Sequence, residues 1–217
     1  MDDRHGGNRV EWNEVDLNYI GNIVDRYGDK GDTFWSRYHE TTRGQLTMAH
    51  WVDHFEWKFL LKHLVAQSRI LDYGCGSGHS DIFLAMHGHE IVGYDISPTA
   101  IDIAKYIASI QTQDIRDRLE FHLNKLPVRN YDIIWSSHTI EHISLEMLPE
   151  VFNLVRSVAS EIPMLISVPL GTAYDVPNHV NHWYSDKELE ESLSRYVDIT
   201  WTSTDNENQV IRAMCKV

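Results

Sequence analysis

Cysteine is scarce in this chain: Cys75 and Cys215 are the only two in 217 residues. One sits in a glycine-rich turn and the other near the C-terminal end, so no disulfide framework or cysteine-based zinc knuckle can be assembled from them. A reducing compartment is the expectation. Lys and Arg are also few, 19 against 32 Asp and Glu, and no basic run interrupts the net charge of −13. Such a field repels polyphosphates, which disfavours nucleic acid as a partner and favours a small-molecule substrate. Long apolar runs are missing as well, none approaching the ~18 residues of a membrane span. The opening MDDRHGGNRVEWNE has neither a secretory apolar core nor an Arg/Ser-rich transit pattern. A soluble, cytoplasmic protein that does not contact membrane is therefore expected.

What is present is an ordinary globular composition, 42% hydrophobic and 24% charged, sufficient to bury a core. The length suits one domain with an extension. Residues 1–66 read as a helical N-terminal extension or cap and residues 67–217 as the main domain. The first part of the extension is a polar arm. Further on, Trp51, Phe55, Phe59, Leu60 and Leu64 recur at three- and four-residue steps, which predicts an amphipathic helix with one buried face.

From Arg69 onward short apolar runs alternate with helical ones, the pattern of strands joined by crossover helices. Strands are expected near 69–73, 90–95, 118–122, 131–136, 162–168, 196–202 and 209–216, and helices over 79–87, 98–110, 145–159 and 186–195. Ser97 before Pro98 reads as an N-cap with proline at the first helical position, and Ser185 with Glu188 as a capping box. The fold class is α/β: a doubly wound, mostly parallel seven-stranded sheet.

The segment Arg69-Ile-Leu-Asp-Tyr-Gly-Cys-Gly-Ser-Gly-His79 carries the first chemical signal. Glycines at 74, 76 and 78 let the chain turn with positive φ and let a ligand approach the backbone. Dinucleotide folds use G-x-G-x-x-G, whereas the third glycine here comes one residue early. Asp72 sets a carboxylate beside the loop, which would repel a phosphate and tolerate a cationic amino-acid group. The second signal is Asp95, ending the strand Glu90-Ile-Val-Gly-Tyr-Asp95. A carboxylate there can accept the hydroxyl protons of a ribose, as its counterpart does in dinucleotide folds. The plainer readings are a tight strand-to-helix turn and a helix-start charge at Asp95.

The series ILDYGCGSG, IVGYDIS and YDIIWSSHTIEHI, spanning about Arg69 to His142, resembles the motifs of class I S-adenosylmethionine-dependent methyltransferases. The resemblance implies that S-adenosylmethionine is the cofactor. It implies that Asp72, Tyr73, Gly74, Cys75, Gly76 and Gly78 hold its methionine end, that Asp95 holds the ribose and that Ile96 packs on adenine. Ser137 or His138 would border the sulfonium. Relatives usually carry a Gly-Asp pair after the third strand; this chain reads Phe121-His122-Leu123-Asn124 instead, so Asn124 is the candidate adenine acceptor. Helices placed like the N-terminal one often cover the cofactor in the family, which makes Arg37, Tyr38 and His54 candidates for its carboxylate.

Histidines are the remaining signal. His138-Thr-Ile-Glu141-His142 follows the fourth strand and Asn178-His179-Val-Asn-His182 the fifth, both on the strand edge where open α/β sheets bind ligands. One reading makes them loop-orienting groups. Another makes His142 or His138 the general base, since imidazole titrates near ~6.5. A third rests on similarity to small-RNA 2′-O-methyltransferases, whose Glu-x-x-Glu-His and distant histidine bind metal: His138, Glu141, His142 and His182, or His179, would be the ligands, suited to Zn²⁺, Fe²⁺ or Ni²⁺. His50, His54 and His63 read as the polar rim of a packed helix. The expected function is methyl transfer to an oxygen or nitrogen of a small molecule. A metal-dependent RNA enzyme and a cofactor-binding subunit without turnover stand as rivals.

Overall fold

The alternation of short and helical runs is realised strand for strand. The computed structural model describes residues 54–173 and 179–217; the N-terminal arm, with Arg37, Tyr38, His50 and Trp51, and also Asn178 lie outside the described residues. The strands are β1 (Arg69–Tyr73), β2 (Glu90–Asp95), β3 (Leu119–Leu123), β4 (Ile133–Ser137), β5 (Pro163–Pro169), β6 (Asp198–Asp205) and β7 (Val210–Lys216). They form one seven-stranded sheet in the order β3-β2-β1-β4-β5-β7-β6. Pairs from β3 through β5 are parallel, and β7 runs antiparallel between β5 and β6. The chain order reverses at β1, where β2 lies on one side and β4 on the other.

Strand alternation splits the apolar residues between two faces. Ile70, Ile91, Ile133, Trp135 and Leu165 face α1 (Phe55–Leu61), α2 (His79–Met86), α3 (Pro98–Ser109) and the short α4 (Gln113–Arg116). Leu71, Val92, Ile134, Ile166 and Ile211 face α5 (Leu148–Val158) and α6 (Asp186–Leu193). Each fully buried Ile or Leu contributes about 1.5–3 kcal/mol relative to exposure, so both helix layers are held by the sheet.

The expected caps are formed. Ser97 Oγ accepts from the Ala100 N–H at 3.2 Å with Pro98 in the first turn, and Ser185 Oγ accepts from the Glu188 N–H at 3.2 Å. Among the described residues the N-terminal helix is shorter than its periodicity predicts and ends at Leu61. Gln67 takes a left-handed φ of 59° and the Ser68 hydroxyl donates to the Val65 carbonyl, turning the chain into β1. Short α4 carries no strong periodic signal and is an addition to the expected elements. No helix of the described residues is long and apolar enough to cross a membrane.

Candidate active site

The carboxyl ends of β1 and β2 build a cradle out of backbone. Gly74 and Gly76 have φ of +88° and +53°, a region that L side chains rarely adopt. They need glycine for different further reasons. A Cβ on Gly74 would lie 2.2 Å from Thr139 Oγ1, so the loop packs directly on the segment that follows β4, whereas nothing lies within 4 Å of a Cβ on Gly76. The space above Gly76 is open, as a ligand floor requires. Its N–H donates to Asp95 Oδ2 at 2.9 Å, and the Ser97 N–H donates to Asp95 Oδ1 at 2.8 Å. Asp95 thus braces the loop and the start of α3.

Next to Asp95, Ile96 is 64% exposed, an unusual state for isoleucine and one that suits a platform for a flat ring. Asn124 follows β3 with a left-handed φ of 57°, its N–H donating to the Asp95 carbonyl at 3.4 Å. Tyr73 differs from expectation in its side chain, which is buried against Tyr94 with ring centres 5.2 Å apart. Strand alternation turns it away from the cradle, so its backbone alone reaches the loop. Cys75 points its thiol toward the place where a Cβ on Gly93 would be, 2.9 Å away. Burial and the nearby acids Asp81, Asp95 and Asp72 hold that thiol protonated, well above the usual range.

Beneath the loop, Asp72 on β1 and Asp81 on α2 are both buried. Burial first, then the Asp81 charge and the hydrogen bond between the two carboxyls, push Asp72 well above the usual carboxylate range. Burial pushes Asp81 up to about 7, with the bond to Asp72 acting the other way.

The edge beyond β4 is built from charged side chains. His138 has a left-handed φ of 52°, rare for a residue with a Cβ, and its N–H donates to the Ser167 carbonyl at 2.9 Å. Glu141, in the 3₁₀ turn Ile140–His142, is 1% exposed, and neither carboxylate oxygen accepts a hydrogen bond. Around its Oε1 stand His138 Nδ1 at 3.6 Å, His142 Nε2 at 4.0 Å and His179 Nε2 at 4.0 Å. Burial alone would favour a neutral His138; the carboxylates of Glu141 and, secondarily, Glu56 outweigh it and raise its pKa.

The structure brings Glu141, His142 and His179 together, with ligand-capable atoms within 4.8 Å of one another. His182 is not in that set; its ring lies 6.1 Å from that of His179. Loop orientation is visible as well. The Glu141 carbonyl accepts from the N–H groups of Val180 and Asn181, and Asn181 Nδ2 donates to the carbonyls of Ile140 and Ile143.

Sequence reasoning missed the adjoining buried network. Glu56 on α1 accepts from Arg212 Nη2 at 3.0 Å and from Ser167 Oγ at 2.7 Å, while Arg212 Nη1 reaches Asp205 at 3.0 Å. The guanidinium lies 4.1 Å from the centre of the Phe59 ring. A lone arginine in the apolar Val-Ile-Arg-Ala-Met-Cys was the available signal, since buried charges need partners. His54 stacks on Phe55, and His63 lies at the exposed end of α1 near Trp201.

Comparison with known proteins agrees with this geometry. The methyltransferase-domain family profile matches residues 45–212, more than half of the chain. The chain belongs to the class I S-adenosylmethionine-dependent methyltransferases. It is 24% identical over 139 residues to a ubiquinone biosynthesis O-methyltransferase of Coxiella burnetii, covering 63% of this chain and 55% of that one. It is 30% identical over 146 residues to a 2-heptyl-1-hydroxyquinolin-4(1H)-one methyltransferase of Mycobacteroides abscessus, covering 63% and 60%. The methyltransferase thus spans only a little over half the length of these curated relatives. In fold it resembles the glycopeptide N-methyltransferase MtfA complexed with S-adenosylmethionine, with a TM-score of 0.63, 12% identity and coverage of 74% and 85%. The open floor over Gly76, the Asp95 carboxylate and the exposed Ile96 fit that cofactor.

Proposed function

We propose that this methyltransferase transfers the methyl group of S-adenosylmethionine to a hydroxyl oxygen or an amine nitrogen of a small molecule, with His138 as the general base. The observation that carries the reading is the placement of His138. Its strained backbone stands one residue before Thr139, the side chain that touches the glycine loop, and its ring lies 3.6 Å from a buried carboxylate. When bound, the cofactor supplies an electrophilic methyl, so the protein is asked mainly for proximity and proton removal. Gly74 to Gly78 would seat the methionine end, Asp95 would accept from the ribose and Ile96 would support the adenine. His138 would take the acceptor's proton, with Glu141 stabilising the imidazolium that results. His138 suits this better than His142 because its side chain is 28% exposed against 14%.

The small-molecule acceptor rests on the acidic chain and on relatives named for such substrates; a hydroxyl is favoured because the ubiquinone-pathway relative is named an O-methyltransferase. The test is incubation with labelled S-adenosylmethionine and a panel of phenols, N-hydroxy heterocycles, amines and short RNAs. Label in a phenol or N-hydroxy compound supports the reading. Label confined to RNA, or cofactor bound without turnover on any acceptor, would discard it.

A second reading is favoured by the buried Glu141 carboxylate that accepts no hydrogen bond. Glu141, His142 and His179 form a carboxylate-and-imidazole donor set of the kind preferred by Zn²⁺, Fe²⁺ or Ni²⁺. Stoichiometric metal in the purified protein, with activity lost on chelation and restored by the ion, would replace the base reading with this one.

A further inference from the structure

The least ordinary feature outside the histidine edge is a pair of carboxyl groups with no cation beside it among the described residues. Asp72, next to last in β1, lies on the sheet face covered by α2, and Asp81 descends from the first turn of α2. Asp72 is 5% exposed and Asp81 fully buried. Among the described residues no Lys, Arg or His forms an ion pair with either, and neither Asp81 oxygen receives an N–H or hydroxyl hydrogen bond. A charge at the start of a helix gains from the helix dipole, but an acid placed there for that purpose would face solvent or bond the free amides. Asp81 is enclosed and accepts from no amide. Two enclosed carboxyls that act on each other at short range need a proton between them, because two adjacent anions cannot both stay charged in a buried site.

We propose that Asp72 and Asp81 share one proton in the ligand-free protein and release it when the ammonium group at the amino-acid end of the cofactor settles beside Asp72. The O–H bond breaks, its proton passes to solvent, and an ammonium N–H···O bond takes its place, so the net charge of the pocket is conserved. Asp81 is then a positioning residue that acts through Asp72. Burial pushes both carboxyls upward, the direction that retains a proton in the pair. Other titratable groups around the pair are Asp95 at the end of β2, the Cys75 thiol in the loop, and His79 on α2, whose Nδ1 pairs with Ser77 Oγ at 3.0 Å. Of these, the Asp95 carboxylate opposes ionisation of Asp72, while the protonated Cys75 thiol adds no charge.

The inference rests on the cofactor reading of the glycine loop and not on the choice of acceptor. The experiment is calorimetric titration of the full chain with S-adenosylhomocysteine, in buffers of different ionisation enthalpy, between pH 6 and 7.5. Close to one proton should be released per ligand, and the dissociation constant should tighten by up to about tenfold per pH unit until the free pair ionises. 5′-Methylthioadenosine, which lacks the ammonium, should bind to the same protein without release. In Asp81→Asn the release should vanish and affinity should become flat with pH over this range. Release unchanged in Asp81→Asn, equal release with 5′-methylthioadenosine, or no release with S-adenosylhomocysteine would each overturn the shared proton. Failure of S-adenosylhomocysteine to bind at all would instead remove the cofactor reading beneath it.

Discussion

The two halves of the sheet's carboxyl edge are built on opposite principles. Over β1 and β2 the working surface is backbone, made of glycines, two amides on Asp95 and an open floor. Over β4, β5 and β7 it is side chain: three imidazoles around Glu141, and Glu56 clasped by Arg212 and Ser167. A backbone surface recognises a constant ligand and leaves its mark in sequence as glycine spacing. A side-chain surface can be refitted residue by residue, which would suit the half proposed to face the acceptor.

That contrast can be broken from either side. The largest effect is expected from Glu56→Ala, which leaves the Arg212 guanidinium buried without its main partner. Urea unfolding should show a loss of about 3–5 kcal/mol, and the double variant Glu56→Leu with Arg212→Met should recover most of it. A single variant as stable as the parent would show that the charged half carries no structural load. Next, Asp95→Ala should weaken S-adenosylhomocysteine binding by ~10²-fold or more, since each lost charge-assisted bond is worth about 1.5–3 kcal/mol. Because Asp95 also braces Gly76, Asp95→Asn should fall between, and an unchanged dissociation constant for both would reduce Asp95 to a helix-start charge.

His138→Ala should leave cofactor affinity nearly intact and lower turnover ~10²-fold, the range typical of a lost general base. His142→Ala should cost less. The reverse order, read from initial rates with a working acceptor, would move the base to His142. The smallest effect concerns Asp205. Partial burial opposes its charge, but bonds from Asn208 and Arg212 prevail and depress its carboxyl to about 2. Its folded value lies below the unfolded one of about 3.9, so its stabilisation is present above pH 4 and fades as pH falls toward 2. Asp205→Asn should flatten that acid limb of the unfolding profile.

Most of the fold was legible because period-two and period-3.6 patterns are local, and every expected strand appears within a few residues. The cradle was legible for a related reason: Asp72, the glycines and Asp95 lie within one β-α-β unit. Glu56 and Arg212 are 156 residues apart, and no local rule links an acid in Phe-Glu-Trp-Lys-Phe to an arginine in a late strand. The same holds for Asp81, which reads as an ordinary acidic residue in the first turn of a helix until the turn shows it enclosed against Asp72. The histidine segments were read as lying at one rim. Which imidazoles face Glu141 depends on how the Asn181 amide pins its loop, and here His179 joins the group rather than His182.

The contact between Gly74 and Thr139 has a thermodynamic consequence. With 2.2 Å between Thr139 Oγ1 and the position a Cβ would occupy on Gly74, the floor under one ligand and the wall beside the other cannot shift independently. If cofactor and acceptor sit on the two sides as proposed, occupancy on one should alter affinity on the other, and linkage makes that influence equal in both directions. The factor by which S-adenosylhomocysteine changes acceptor affinity should equal the factor by which acceptor changes its own.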